Sequence, residues 1–205
     1  MKTTITHVFA GAAIIAVSAL AACSSGSKNA SDKADSVNKG LTEKADSTNK
    51  AAVAAADSVN SLREDAAQFL VKSYESGIFE IQLSQLAATN ATSTQVKTFA
   101  AHLVTAHTDI NSQMLKIAMN ANYKLPGAVD AGHAKTLDEM TRTKGNDFDK
   151  KYMDMMVSGH EKSVKNYSDA AHNLSGGATK EFATATLPKI EDHLAMAKKV
   201  KDGLK

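Results

Sequence analysis

Apolar residues recur at helical spacing over four long stretches of the second half of the chain, and no stretch shows the alternation of a strand. Helix 1, about Asp65 to Asn90, carries Phe69, Leu70, Tyr74, Ile78, Ile81, Leu83 and Leu86. Ser93 and Thr94 can cap helix 2, Thr94 to Ala121, with the stripe Val96, Phe99, Leu103, His107, Ile110, Met114 and Ile117. Lys124-Leu125-Pro126-Gly127 breaks the pattern, and a connection of about 24 residues follows, with room for a short helix from His133 to Thr141. Helix 3, capped by Asn146 or Asp147, carries Tyr152, Met153, Met156, His160, Val164 and Tyr167, and ends at Gly176 and Gly177. Helix 4, Thr179 to Leu204, carries Phe182, Ile190, His193, Ala197 and Val200, and Pro188 should bend it by freeing the carbonyl of Thr184. Two hairpins joined by a long connection predict an all-α four-helix bundle, either with the crossover of ferritin-like folds or running up and down.

The first 63 residues read differently. Val8 to Leu20 is an apolar run of about 13 residues after a start carrying Lys2, too short for a stable membrane span and suited to a signal peptide. Leu20-Ala21-Ala22-Cys23 resembles the lipobox of bacterial lipoproteins, which implies cleavage before Cys23 and acylation of its thiol. The reading divides the chain into a signal peptide (1–22), a lipid-anchored tether (23–63) and a bundle domain (64–205). Acyl chains hold such a protein on a membrane. Ser24, where an aspartate would favour inner-membrane retention, points to the outer membrane, facing the periplasm.

The tether opens with a flexible spacer, Ser24 to Asn29, and then repeats every eleven residues: Ala34-Asp35-Ser36-Val37-Asn38, Ala45-Asp46-Ser47-Thr48-Asn49 and Ala56-Asp57-Ser58-Val59-Asn60. Eleven residues lie close to three helical turns, so the repeat forms one stripe. The stripe is either a coiled-coil seam for a homo-oligomer or envelope partner, or one face of a weakly helical tether. Being mostly alanine, it buries little and favours the tether.

Composition narrows the chemistry. One cysteine excludes a disulfide framework and a Cys-rich zinc module. Twenty-four Lys and Arg against 22 Asp and Glu, without a block of like charge, leave no nucleic-acid footprint. There is no Gly-rich phosphate loop, Gly-x-Ser-x-Gly elbow or cysteine nucleophile, which weighs against an enzyme.

Three histidines interrupt the apolar stripes, His107, His160 and His193, and helix 1 carries Glu80 on a face of small residues. Counted from turns near residues 92 and 176 at 1.5 Å per residue, Glu80, His107, His160 and His193 lie about 18, 22, 24 and 26 Å along their helices, in one layer. One carboxylate and three imidazoles suit a transition metal such as Zn, Fe or Cu, while the plainer expectation is a buried hydrogen-bond network without metal. Glu161 beside His160 is a spare ligand, and Met156 and Met196 share the faces of His160 and His193, as a Cu(I) site would need. Glu75, Asp109 and Glu191 read as solvated, and His102, about 140° round helix 2 from His107, as polar-facing.

At these residues the chain is similar to the domain of unknown function 4142 family, ferritin-like lipoproteins and secreted proteins of bacteria. The likeness runs through Gly77-Ile78-Phe79-Glu80-Ile81-Gln82-Leu83, Val96-Lys97-Thr98-Phe99-Ala100, Ala106-His107-Thr108, Phe148-Asp149-Lys150-Lys151-Tyr152-Met153, Met156-Val157-Ser158-Gly159-His160-Glu161, and Leu187-Pro188 followed by His193-Leu194. It covers about Asp65 to Leu204 and implies a fold without an established reaction. The family usually has Asp before the histidines of helices 2 and 3, where this chain has Ala106 and Gly159. The bundle also lacks the Glu-x-x-His pairs of di-iron ferritins, so their oxidase chemistry does not carry over.

Overall fold

The computed structural model describes residues 29–204, with side chains for residue 50 and residues 52–204. Residues 1–28, with the signal peptide, Cys23 and nearly all of the spacer, lie outside the described residues, as do the side chains of the repeat stripe up to Thr48. Five helices make up the described chain: α1 (Asn29–Asn90), α2 (Thr94–Ala121), α3 (Ala131–Arg142), α4 (Gly145–Asn173) and α5 (Gly177–Asp202). There is no strand among the described residues, and none of their helices is long and apolar enough to cross a membrane. The chain divides into a unit ending at Ala51 and a unit Ala52–Lys205.

The helix expected from Asp65 begins instead at Asn29. Burial does not drive that extension, because Ala52 to Glu64 are exposed. The segment contains no proline and its commonest residue is alanine, so a helix already formed from Asp65 onward extends back through it without a strong breaker. Helix α2 has the bounds that its pattern predicts, with the Ser93 side chain accepting a hydrogen bond from the Val96 N–H at 3.4 Å. It stops at Asn122, in the left-handed region at φ 57°, before the Pro-Gly breaker is reached.

Helix α4 starts at Gly145 after Lys144 rather than on an Asn146 or Asp147 cap. Tertiary contacts set this start. The buried Asp149 carboxylate accepts from the Thr92 N–H at 3.1 Å and the Ser93 N–H at 2.8 Å, and the Lys144 ammonium donates to Asn90 Oδ1. Helix α5 begins two residues early, at Gly177, because Gly176 (φ 126°) and Gly177 (φ 78°) turn the chain within two positions. It continues through Pro188, on an exposed face where water can reach the freed Thr184 carbonyl.

Cross-helix contacts define the directions of the helices within Ala52–Lys205. Ser84 and Ser73 of α1 meet Tyr152 and Asn166 of α4, so those two helices are antiparallel. Gly203, just past the end of α5, approaches Gln95 of α2, and His193 packs against His102, so those two are antiparallel as well. Helices α2 and α4 therefore point the same way, and the chain between them must travel the length of the bundle. Helix α3 lies on that path against α1, with His133 bonded to Glu75 and the Met140 carbonyl bonded to Asn90. The connection is a crossover, the arrangement that the sequence left undecided against up-and-down.

The core forms two apolar clusters. One holds Leu83, Leu103, Tyr152, Met156 and Ala197 with their neighbours, the other Leu70, Ile110, Tyr167, Phe182 and Ile190 with theirs. Asp149 is the polar tie between the first hairpin and α4. Replacing it with Ala leaves the Thr92 and Ser93 donors without their charged acceptor, and should cost about 2 to 3 kcal/mol in urea unfolding while helix content is kept.

Candidate metal centre

Each of α1, α2, α4 and α5 carries one buried titratable side chain where it passes from one apolar cluster to the other. On α2 the order is Leu103, His107, Ile110; on α4 it is Met156, His160, Tyr167; on α5 it is Ala197, His193, Ile190. Glu80 does the same on α1, between Leu83 and Leu70. These four side chains are buried, with exposures of 2% for Glu80, 4% for His107, 0% for His160 and 4% for His193.

The three rings form a near-equilateral triangle, with centroid separations of 5.5 Å (His107 to His160), 5.1 Å (His107 to His193) and 5.5 Å (His160 to His193). One ring nitrogen from each falls within 4.8 Å of the others. Glu80 closes the group, its Oε2 lying 3.0 Å from His107 Nε2 and 3.8 Å from His160 Nε2. The close approach of α1 to α2 needs Gly77, since a Cβ there would fall 2.1 Å from Asn111 Oδ1.

Hydrogen bonding leaves the inner nitrogens bare. His160 Nδ1 lies 2.9 Å from the Met156 carbonyl, which can only accept, so Nδ1 carries a proton and the Nε2 lone pair faces the interior of the neutral ring. His107 Nε2, His160 Nε2 and His193 Nδ1 are all buried without a hydrogen-bond partner. The 3.0 Å approach of Glu80 to His107 is an ion-pair distance, and it is the shortest contact that the carboxylate makes with the three rings. Each orphaned polar atom costs on the order of 1 to 3 kcal/mol when nothing meets it.

The electrostatics follow from burial and proximity. Burial alone raises the Glu80 carboxyl, but the charges of His107 and His160, a contact with His107 and the charge of His193 outweigh it and hold the group at about 2. Burial lowers His193 to about 3, helped by the charges of His107, His160 and His102 and opposed by Glu80. At neutral pH His193 is therefore a neutral imidazole, the form that binds a metal.

The other residues singled out in the sequence are distributed as follows. Glu161 lies about 100° round the helix from His160 and pairs with Lys198 at 2.9 Å on a half-exposed face, outside the cluster. Met156 sits in the first apolar cluster and serves His160 through its carbonyl, while Met196 packs at that cluster's edge. His102 is exposed, with its ring edge-on to His193 at 5.3 Å. Ala106 and Gly159 bring no carboxylate to the histidines, and a Cβ at Gly159 would lie 3.5 Å from Glu80 Oε1. Sequence reasoning missed the Glu75 to His133 contact of 2.7 Å, because only the crossover brings the two together.

Acid should loosen this layer in the metal-free protein. A His193 pKa of about 3 in the fold, against an ordinary 6.5, means that the unfolded chain binds the extra proton throughout that interval, so stability falls as pH drops below 6.5. Glu80 adds to the loss between 4.5 and about 2, because its carboxylate stabilises the fold only while ionised. Between pH 7 and 5 the histidine alone should remove about 2 kcal/mol, read by urea unfolding at each pH. His193→Gln should flatten that slope.

No curated protein and no solved structure matches the chain. The family model described as Domain of unknown function (DUF4142) matches residues 50–200, which include all five helices in whole or part and all four residues of the buried layer. The chain belongs to that family.

Proposed function

We propose that this protein is a lipid-anchored envelope protein whose ferritin-like four-helix bundle holds a transition metal ion on His107, His160, His193 and Glu80, serving metal handling or stress protection. The observation that carries the reading is the set of three buried imidazole nitrogens without a hydrogen-bond partner, two of them facing a buried carboxylate. A cation among them meets the lone pairs and offsets the Glu80 charge in one step. Donors around a tetrahedral zinc sit roughly 3.4 Å apart, so nitrogens within 4.8 Å of one another need only small inward movements.

The donor set suits zinc, iron or copper, and the residues have separate duties. His160 is held in its binding tautomer by the Met156 carbonyl, a backbone acceptor in the role that a second carboxylate often takes. His193 stays neutral, and Glu80 supplies the negative charge. A bound ion acts as a Lewis acid, or as a redox centre if it is iron or copper. The ferritin-like reading draws on the two antiparallel pairs and the crossover between them. Membrane attachment through Cys23 rests on Leu20-Ala21-Ala22-Cys23 and the apolar run before it.

The 3.0 Å approach of Glu80 to His107 favours a second reading, a metal-free ion-pair network in a structural or protein-interaction module. Elemental analysis decides between them. Protein exported to the periplasm and purified without a histidine tag should carry a transition metal, and a folded variant with His107, His160 and His193 changed to Gln should carry less by one ion. Chelation should lower the melting temperature of the first by clearly more than that of the second. A protein free of metal after incubation with zinc, iron and copper, and indifferent to chelator, would establish the network.

A further inference from the structure

A cavity of about 700 Å³ opens between α1, α3 and α4, with Glu80 among its walls and the pair Glu75 and His133 further along it. We propose that Glu75, Asp130 and His133 form a second, outer site for an exchangeable divalent transition metal ion, on the side of the bundle where the crossover meets α1. It stands apart from the buried layer: it shares no residue with it, and its case holds whether or not that layer takes an ion.

Three kinds of observation support the site. The first is convergence. His133 Nδ1 lies 2.7 Å from Glu75 Oε1 and 3.8 Å from Asp130 Oδ1, and one donor atom from each residue falls within 4.8 Å of the others.

The second is that each donor is already held in place. The His133 ring stacks on Phe79 at 4.1 Å and 20°, which fixes the direction of Nδ1. Asp130 caps α3 by accepting the His133 N–H at 2.8 Å through Oδ1, and Glu75 Oε1 accepts the Asp130 N–H at 3.0 Å. The carboxyl of Asp130 also takes the Gly132 N–H, and since each carboxylate offers about four acceptor positions, both groups keep capacity for an ion. An ion on His133 Nδ1 requires the tautomer with its proton on Nε2, so the contact of Nδ1 with Glu75 Oε1 gives way to the ion.

The third is charge and access. Among the described residues, the ion pairs of Glu75 and Asp130 are with His133 and not with a lysine or arginine, so two carboxylates face one imidazole. Glu75 and His133 are partly exposed and Asp130 is exposed, so water can complete the coordination, as in an open site from which an ion exchanges. One imidazole with two carboxylates selects zinc, iron(II) or manganese, because an imidazole donor suits these better than it suits calcium or magnesium.

The test is equilibrium dialysis of the full chain against zinc at fixed free concentrations, with zinc counted per chain. Wild type should take up about two ions, the outer one more weakly, and His133→Gln should take up about one. Asp130→Asn is the control for folding: asparagine caps a helix as well as aspartate does, so zinc lost there reports ligation. A variant with His107, His160 and His193 changed to Gln should keep the outer ion. If the outer ion is the sole one found, lost in His133→Gln and kept in the buried-layer variant, the present proposal stands and the buried metal reading fails. Equal zinc in wild type, His133→Gln and Asp130→Asn overturns the outer site. That includes a His133→Gln protein that melts earlier with its zinc count unchanged, for which the cluster is a clasp between crossover and α1.

Discussion

Burying the Glu80 carboxylate is the constraint around which the rest of the bundle is arranged. A carboxylate taken out of water without compensation costs several kcal/mol, more than a domain of this size can spare. At 2% exposure and with its pKa held at about 2, Glu80 stays ionised, so positive charge has to be brought to it. Three helices contribute one imidazole each, at the level where the two apolar clusters part. A protonated histidine can supply that charge, and so can a metal ion. His160 Nδ1 is taken up by the Met156 carbonyl, so Nε2 is the atom of that ring that faces the carboxylate, at 3.8 Å, where either a proton or an ion must lie between them.

The fold places the layer through contacts at some distance from it. Gly77 lets α1 approach α2 closely enough for Glu80 to reach His107, because a side chain at that position would collide with Asn111. Asp149 binds the backbone of the first hairpin to the start of α4 and so sets the height of His160 against Glu80. The crossover places α3 on the α1 side of the cavity that reaches Glu80, and fastens it there through His133, Glu75 and Asn90. Clusters above and below shield the layer from water on two sides, which strengthens the electrostatic contacts inside it, while the cavity leaves Glu80 approachable from the third.

Much of this was legible in the residues. The stripes of α2, α4 and α5 are long and amphipathic, so their helical period stands out, and counting 1.5 Å per residue from the hairpin turns puts Glu80, His107, His160 and His193 on one level. Helix ends were harder. Lys144 starts α4 because Asp149 and Asn90 hold the chain there, a tertiary effect invisible to local cap preference. The early start of α1 left no apolar pattern, since Ala52 to Glu64 are exposed and propensity alone makes them helical. Glu161 is next to His160 in sequence but faces Lys198, and sequence neighbours on a helix do not share a face. The path of the crossover was open, and with it the meeting of Glu75 and His133, residues 58 positions apart in the chain.

The central claim is that the three inner imidazole nitrogens present lone pairs to one cation. Nitrogen-15 NMR of the histidine side chains, followed while one equivalent of zinc is added, tests it most directly. The account predicts that His160 begins with its proton on Nδ1, and that His107 Nε2, His160 Nε2 and His193 Nδ1 move together to the shifts of metal-bound nitrogen. His160 found with a proton on Nε2, and all three rings unmoved by zinc, would contradict it.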